Sequence, residues 1–140
     1  MKKIQFFIFV AIGILGAFAA QAADVKVIAN SSVGASSVSA DELKGVFLGT
    51  KTSLSDGSHV EPVLLKAGAV HEAFLKEYVG KTEDALNTYY RSLVFTGKGS
   101  MPKAFASDAE VVSFVEKTKG AIGYVSAGAS AGSAKTLEVK

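Results

Sequence analysis

The first 22 residues constrain this chain most strongly, because they set how much sequence remains to fold. Lys2 and Lys3 precede an apolar stretch, Ile4–Ala20, and Ala20-Gln21-Ala22 has the small-residue pattern of a signal-peptide cleavage site. The stretch is interrupted by Gln5 and falls short of the ~20 apolar residues of a spanning helix, which disfavours an uncleaved membrane anchor. We therefore predict a signal peptide over residues 1–22 and export of the rest.

Removing those 22 residues from the 140 leaves 118, which suffice for one hydrophobic core and are too few for two ordinary domains. We predict a single domain over residues 23–140. The chain contains no cysteine, so an exported domain of this size must be held together by its core without disulfides. This composition suits the bacterial periplasm, which is the predicted location, better than a harsher extracellular setting.

Charge and residue counts exclude several classes of function. Lys2 and Lys3 account for the net charge of +2, so the predicted mature chain has 13 basic and 13 acidic residues, with Arg91 as its only arginine. A neutral domain of this kind argues against nucleic acid as a partner. His59 and His71 lack the spacing of metal ligands, so no metal or other cofactor is expected. No nucleophile stands in a recognisable catalytic motif, so we predict that the protein is not an enzyme.

Hydrophobic periodicity alternates between strand and helix along the predicted domain. It predicts strands at residues 24–29, 60–64 and 121–125, a final edge strand at 136–139, and helices at 40–48, 70–79, between Thr82 and Gly97, and between Ser107 and Gly120. Residues 30–39, 95–102 and 126–135 are rich in small or turn-forming residues and are predicted loops. Alternating elements without an internal repeat indicate the α/β fold class.

Local signals define several boundaries in this pattern. Ser39 with Glu42, and Ser107 with Glu110, have the spacing of capping boxes, and Gly120 is the predicted stop of the last helix. Ser55-Asp56-Gly57 predicts a turn. Pro62 should lie on an edge strand or near a strand end, because proline cannot donate a hydrogen bond to a neighbouring strand.

Two segments could donate hydrogen bonds to an anion. Ser31 and Ser32 directly follow the first strand, where open α/β sheets place ligands, although loop serines often bond only to their own backbone. His71 falls in the first turn of a predicted helix, where its ring and the free N–H groups could meet an anion together. The alternative for His71 is a surface histidine beside Glu72.

A third candidate is Gly97-Lys98-Gly99-Ser100, whose consecutive N–H groups beside Lys98 could form an anion-binding nest. The spacing is not that of a phosphate-binding P-loop, and the alternative is a helix stop followed by a solvated lysine. Tyr89 and Tyr90 have helical core spacing, so we predict that they pack rather than stack on a ligand.

Four blocks of sequence resemble the phosphate-binding-like periplasmic proteins, the substrate-binding components of phosphate ABC transporters and their short single-domain relatives. The blocks are Asp41-Glu42-Leu43-Lys44-Gly45-Val46-Phe47-Leu48-Gly49-Thr50-Lys51, Ser55-Asp56-Gly57, Leu93-Val94-Phe95-Thr96-Gly97-Lys98-Gly99 with Pro102, and Gly120-Ala121-Ile122-Gly123-Tyr124-Val125. They occur in order over nearly all of the predicted mature chain. The resemblance implies one lobe of a type II periplasmic-binding-protein-like fold, a mixed sheet flanked by helices, with phosphate or a similar oxyanion as ligand.

The resemblance also implies where the ligand would bind and what has changed. The family's ligand helix commonly starts with a Ser-Gly-Thr-Arg run, and this chain has Gly68, Ala69, Val70 and His71 there. Loss of the hydroxyl donors and of a permanent charge should weaken the grip on phosphate. Full members close two lobes over the anion, whereas this chain supplies about one.

The function expected from these observations is weak oxyanion binding in the periplasm, linked to phosphate ABC transport. The candidate anion contacts are Ser31, Ser32, the helix start Gly68–His71 and Lys98. The expected partners are the anion and a membrane transporter or envelope protein, and a homodimer could share one cleft between two lobes. The alternative is an interaction or sensor module of the cell envelope that kept the fold and lost the ligand.

Overall fold

A six-stranded mixed sheet with helices on both faces forms the centre of the computed structural model. The structure describes residues 24–140, so the predicted signal peptide lies outside it. The elements in chain order are β1 (Val25–Ala29), β2 (Ser37–Val38), α1 (Ala40–Leu48), β3 (Glu61–Leu65), α2 (Ala69–Phe74), a π-helical turn (Leu75–Val79), α3 (Glu83–Phe95), β4 (Lys103–Phe105), α4 (Asp108–Lys117), β5 (Ala121–Ser126) and β6 (Lys135–Val139). The predicted α/β fold class is confirmed. Within residues 24–140, every helix is too short or too polar to cross a bilayer.

Strand β5 organises the sheet, whose order is β2-β6-β1-β5-β3-β4. It runs antiparallel to β1, with Ala29 opposite Ile122, and parallel to β3, with Pro62 opposite the same Ile122. Strands β1 and β3 therefore point in opposite directions. We call the end of the sheet where β1 finishes the β1 end, and the end where β3 and β5 finish the β3 end.

The side chains of β5 alternate between two helical layers, as a strand buried on both faces requires. Tyr124 faces α1 and α2, where its ring stacks on Phe74 with centroids 3.8 Å apart and meets Phe47 edge-on at 5.8 Å. Gly123 faces α4, and a Cβ there would lie 2.9 Å from Val63 and 3.0 Å from Val111. The core is therefore an aromatic layer on one side of β5 and a close-packed aliphatic layer on the other.

The first capping box also anchors a loop. The Ser39 hydroxyl accepts from the Glu42 N–H at 3.1 Å, and a Glu42 carboxylate oxygen accepts from the Ser39 N–H at 3.1 Å. The other Glu42 oxygen accepts from the Ser55 N–H at 2.8 Å, in the turn predicted at Ser55-Asp56-Gly57. The hydrogen bond from Ser55, followed by that from Ser39, lowers the pKa of Glu42 below its usual value. One carboxylate thus starts α1 and holds the loop between α1 and β3.

Helix α3 closes the far end of α1 with tyrosine hydroxyls. Tyr90 donates to the Phe47 carbonyl at 2.6 Å, and Tyr89 donates to the Leu48 carbonyl at 2.5 Å. The last carbonyls of a helix have no partner within the helix, so these two bonds satisfy groups that would otherwise need water. The prediction that both tyrosines pack is confirmed.

Two predictions need correction at the sheet edges: that the last strand is an edge strand, and that residues 30–39 form only a loop. Strand β6 was expected at an edge but lies between β1 and β2, because the two-residue β2, inside a predicted loop, pairs with it in parallel. Strand β4 occupies the opposite edge and is too short to show a strand pattern. The prediction for Pro62 is confirmed, because Pro62 is the second residue of β3 and precedes Val63, where pairing with β4 begins.

The helix predicted at residues 70–79 is present but not uniform. It begins as α2 and continues as a π-helical turn that ends at Gly80, whose φ of 72° is left-handed. One extra residue in that turn rotates the side chains that follow. Along the helix His71, Phe74, Leu75 and Val79 are buried, whereas Val70 and Tyr78 are only partly so.

Gly120 does not end α4, which stops at Lys117, but it fits the tight connection to β5. Its φ is +76°, and a Cβ at this position would lie 2.6 Å from the carbonyl oxygen of His59. Its own carbonyl accepts from the Glu61 N–H at 2.9 Å, which sets the start of β3 against β5. Position 120 therefore requires glycine for two reasons, its left-handed backbone conformation and the close approach of the His59 carbonyl.

We expect Gly120→Ala to destabilise the fold more than Gly57→Ala. Both glycines have positive φ, 76° and 88°, but nothing lies within 4 Å of a Cβ at Gly57. The left-handed conformation should cost each variant about 1–2 kcal/mol, and the clash with His59 should add about 1–3 kcal/mol in Gly120→Ala alone. Urea unfolding midpoints measure the difference, and equal losses in the two variants would contradict the close approach.

Candidate functional site

The predicted anion-binding residues lie at opposite ends of the sheet. Ser31 and Ser32 follow β1, whereas Gly68–His71 follow β3, and β1 and β3 point in opposite directions. Each strand is five residues long, so the two groups are separated by roughly the ~17 Å length of such a strand. They cannot contact one small anion together.

At the β1 end, a buried asparagine shapes the turn that holds the two serines. The Asn30 amide donates to the carbonyls of Val115 and Glu116, at 2.7 and 3.0 Å, and its oxygen accepts from the Ser32 N–H at 2.9 Å. The Ser32 hydroxyl oxygen accepts from the Gly120 N–H at 3.0 Å, and Ser31 is exposed. Ser32 therefore joins the end of β1 to the turn before β5, and its hydroxyl hydrogen remains available to a ligand.

A cleft lined by several cations lies beside this turn. It has a volume of about 330 Å³, and its charged lining residues are Lys51, Lys98, Lys119 and Glu61. His59 also lines it. A neighbouring cavity of about 260 Å³ is lined by Ser32, Ser58, His59, Lys119 and Gly120. We call the two together the basic cleft. Two of the predicted residues, Ser32 and Lys98, are therefore brought to one continuous surface.

Two N–H groups of the anion-binding nest predicted at Gly97–Ser100 are already hydrogen-bonded to carbonyls at the end of α3. The Gly97 N–H donates to the Val94 carbonyl at 3.1 Å, and the Lys98 N–H donates to the Leu93 carbonyl at 3.0 Å. These bonds close the end of α3, so the two N–H groups cannot also bind an anion. What Lys98 brings to the basic cleft is its exposed side chain.

At the β3 end, Gly68, Ala69 and Val70 lead from β3 into α2 without a side-chain cap. Gly68 and Ala69 are exposed, and Gly68 has a φ of 107° that favours glycine. Lys66 is exposed just before them. This helix start offers backbone N–H groups alone, without hydroxyl donors.

His71 is not a surface residue: only 3% of it is exposed, and its ring lies beside Tyr124. The His71 Nδ1 is hydrogen-bonded to the Tyr124 hydroxyl, and the Tyr124 oxygen also accepts from the Leu65 N–H at 3.1 Å. Burial lowers the pKa of His71 below its usual 6.5, although the carboxylates of Glu83 and Glu72 oppose the shift. The imidazole is therefore neutral at neutral pH and attracts an anion less than the arginine of the family pattern would.

Hydrogen-bond counting assigns the neutral tautomer of His71. A tyrosine hydroxyl has one proton to donate, and in Tyr124 its oxygen already accepts from Leu65. If Tyr124 donates to Nδ1, both buried groups are satisfied; if Nδ1 donates instead, the Tyr124 proton lacks an acceptor. Tyr124 therefore donates, and Nε2 of His71 carries the ring hydrogen.

The charges of the lining residues indicate which cavity is the most favourable for an anion. The cavity beside His71, of about 260 Å³, has Lys66 and Glu83 as its charged lining residues, so attraction and repulsion balance. A larger cavity of about 480 Å³, beside the π-helical turn, is lined by two lysines and two glutamates, Lys76, Lys81, Glu72 and Glu83. Three lysines against one glutamate make the basic cleft the more favourable place for an anion.

Sequence reasoning missed Lys51, His59 and Lys119 as members of this cleft. Lys119 lies 60 positions after His59, and none of the three has a motif around it. Lys51 follows α1, His59 precedes β3 and Lys119 precedes β5. Only the pairing of β3 with β5 brings the segments that hold them together. Tyr124 lies in the last of the four sequence blocks, but its bond to His71 joins residues 53 positions apart and has no local signal.

The buried imidazole predicts a pH dependence of stability. Because the pKa of His71 is lower in the folded chain than its usual 6.5, the unfolded chain binds more protons as the pH falls through this range. The contribution of His71 is complete above about pH 6.5 and is lost as the pH falls through the folded pKa. We expect the free energy of unfolding, from urea titrations near pH 7.5 and pH 5, to fall less in His71→Gln than in the wild type.

The matched control for this experiment is His59→Gln. His59 is exposed and its replacement leaves the His71 imidazole in place, so the free energy of unfolding should still fall more between the two pH values in this variant than in His71→Gln. An identical pH dependence in the wild type and His71→Gln would contradict the burial of a neutral imidazole.

Comparison with known proteins supports the fold. Neither the protein-family models nor the curated proteins include a match to this chain. Among solved structures, an ABC-type phosphate transport receptor from Vibrio cholerae has a TM-score of 0.63 at 15% identity, with 83% of this chain and 46% of that one covered. A protein from Clostridium perfringens, described as a phosphate ABC transporter substrate-binding protein with bound phosphate, has a TM-score of 0.63 at 17% identity, with coverages of 83% and 44%. PstS from Borrelia burgdorferi has a TM-score of 0.60 at 14% identity, with coverages of 84% and 47%.

The chain spans less than half the length of each of these proteins. The likeness extends over most of its own sheet and helices, so the part of the fold present is one lobe-sized fragment. The resemblance predicted from the four sequence blocks is thereby confirmed at the level of fold. The chain has the fold of the substrate-binding proteins of phosphate ABC transporters, reduced to a piece the size of one lobe.

Proposed function

We propose that this protein is an exported, non-catalytic solute-binding protein that binds phosphate or a similar oxyanion weakly in the basic cleft. The observation that carries the proposal is the gathering of Lys51, Lys98 and Lys119 around one cleft in this fold. The solved proteins of like fold are described as phosphate transport receptors or substrate-binding proteins, which favours transport of phosphate as the associated process.

The exposure of the lysines sets the expected affinity. All three are exposed, and an exposed charge pair contributes about 0.2–1 kcal/mol. Three such contacts, with hydrogen bonds from groups such as the Ser32 hydroxyl, reach the ~4 kcal/mol that corresponds to a millimolar dissociation constant. Glu61 in the same cleft opposes the attraction. Binding is therefore weak and falls with added salt.

The helix start at the β3 end is the weaker of the two sites. Gly68–Val70 supply no side-chain donor, His71 is neutral and bonded to Tyr124, and Glu83 lies in the adjoining cavity. An anion there would be attracted by backbone N–H groups and Lys66 and repelled by the Glu83 carboxylate. The location that the family pattern predicts is thus disfavoured by its own residues.

A second candidate function is an interaction or sensor module of the cell envelope. It is favoured by the loss of side-chain donors at the helix start, where Gly68 and Val70 carry no hydroxyl and the His71 ring is bonded to Tyr124. An anion in the basic cleft would remain open to solvent on one side. A transporter subunit, an envelope protein or a second copy of this chain could supply the missing wall.

We expect the double variant Lys98→Gln with Lys119→Gln to bind phosphate about tenfold more weakly than the wild type. Two exposed contacts of about 0.7 kcal/mol each correspond to this factor. Phosphate and sulfate titrations followed by backbone NMR shifts, at low ionic strength, measure the affinity. The N–H signals of Gly99, Ser100 and Gly120, which line the cleft, should move most.

Lys44→Gln with Lys76→Gln is the matched control, because both lysines are exposed, both lie outside the basic cleft and the change in net charge is the same. Equal weakening of phosphate binding in the two double variants would mean that net charge, and not the basic cleft, determines the affinity. A loss of binding in His71→Gln alone would move the site to the β3 end. An absence of saturable shifts at millimolar phosphate and sulfate would contradict the proposed oxyanion binding and favour the interaction or sensor module.

The predicted homodimer is tested by sedimentation velocity with and without phosphate. A dimer that forms only with phosphate would support a cleft shared by two lobes. A monomer under both conditions would leave the missing wall to another protein or to solvent.

A further inference from the structure

The cavity beside His71 has a mixed lining that suits no simple anion. Its polar lining residues are Lys66, which follows β3, His71, and Glu83 and Asn87, which lie one turn apart on α3. We call it the His71 cavity. Its volume of about 260 Å³ is below the ~300–1,000 Å³ of cavities that take drug-sized ligands, so its ligand must be small. The rest of the lining is apolar: Leu64, Leu65, Leu86, Met101 and Ala104.

The Nε2–H of His71 is the donor that this cavity offers to a ligand. Of the two ring nitrogens, Nδ1 is hydrogen-bonded, to Tyr124, whereas Nε2 has no protein partner within residues 24–140. Every buried side-chain nitrogen or oxygen in that range has a partner, so Nε2 is not sealed in the core. It reaches the surface of the His71 cavity, although the residue as a whole is only 3% exposed. Because Tyr124 donates to Nδ1, the hydrogen on Nε2 is fixed in place.

Two opposite charges lie on the same lining as this donor. Burial lowers the pKa of His71, and the Glu83 carboxylate opposes the shift more than Glu72 does, which indicates that the Glu83 charge acts on the ring. Glu83 is half-buried, and Lys66 is exposed. A ligand with one charge is attracted by one of these groups and repelled by the other. A ligand with both charges is attracted by both.

We propose that the His71 cavity binds a small zwitterion, an α-amino acid with an apolar side chain. The ligand carboxylate accepts from Nε2 of His71 and pairs with Lys66, and the ligand ammonium group pairs with Glu83. The two charged groups of an α-amino acid are attached to the same carbon, which matches a cavity whose three polar partners line one small volume. The ligand side chain lies on the apolar part of the lining.

This site is independent of the oxyanion site proposed above. The His71 cavity and the basic cleft have no lining residue in common. The His71 cavity also requires a positive group on its ligand, which phosphate and sulfate lack. Failure of one site therefore leaves the other untouched.

Leucine and two of its analogues test the proposal by backbone NMR titration of the wild type. We expect saturable shifts with leucine at Lys66, Asn87 and Ala104, which line the cavity. Leucinamide lacks the carboxylate and 4-methylpentanoate lacks the ammonium group, so each should bind about tenfold more weakly, the effect of one charged hydrogen bond. An analogue that binds as tightly as leucine would overturn the proposal, as would an absence of saturable shifts with millimolar leucine, methionine and alanine.

Glu83→Gln provides a second test, with Asp84→Asn as its matched control. Both changes remove one negative charge from the first turn of α3, but only Glu83 lines the cavity. We expect Glu83→Gln to bind leucine about tenfold more weakly and Asp84→Asn to bind it like the wild type. Equal affinities in the two variants would contradict a role for Glu83.

A phosphate titration separates the two proposed sites. If phosphate, and not leucine, shifts the signals of Lys66, Asn87 and Ala104, the cavity takes an oxyanion and the zwitterion is wrong. Shifts at Gly99, Ser100 and Gly120 report on the basic cleft alone. Leucine should leave those three signals unchanged.

Discussion

The buried side chain of Tyr124 connects β5 to the end of β3 and to α2. Its ring lies on Phe74 at 3.8 Å between centroids, and its oxygen binds the Leu65 N–H and His71 Nδ1. A buried donor or acceptor that loses its partner costs about 1–3 kcal/mol, so the hydroxyl fixes the end of β3 and the start of α2 relative to β5. Burial raises the pKa of Tyr124, which keeps the group uncharged and able to donate. The helix start at which the sequence resemblance predicted ligand binding is therefore tied to the core in this chain.

The antiparallel pairing of β1 with β5 decides what kind of site the chain can have. Because β3 is parallel to β5, the loops after β1 and β3 emerge at opposite ends of the sheet. Ser32 at one end and His71 at the other cannot cooperate, however suitable each is alone. At the β1 end, the parallel pairing of β3 with β5 brings Lys119, before β5, next to His59, before β3, and Lys98 completes the group from the loop after α3. The basic cleft is therefore a product of sheet topology.

The ends of the chain's helices show how far local reasoning reaches. The bounds of α1 follow from Ser39, Glu42 and Gly49, since a capping box and a left-handed glycine act within a few residues of the helix. The last helix begins as predicted at Ser107, but the Glu110 carboxylate accepts from the Ala106 N–H, one residue earlier than a complete capping box requires. The π-helical turn after Phe74 has no such signal. It packs against α1, and a helical period of 3.6 cannot predict it.

The amino-acid sequence by itself determined the fold class, most element boundaries and the resemblance to phosphate-binding-like proteins, because these depend on periodicity, caps and glycines within short windows. Close packing explains two glycines of the last sequence block. Gly120 leaves room for the His59 carbonyl, and Gly123 leaves room for the side chains of Val63 and Val111. The tertiary structure alone decided that β6 is an inner strand, that His71 is buried and neutral, and that three lysines share a cleft. The physical reason is that strand order, strand direction and burial depend on which distant segments pair, and residues such as His59 and Gly120, 61 positions apart, carry no local sign of their contact.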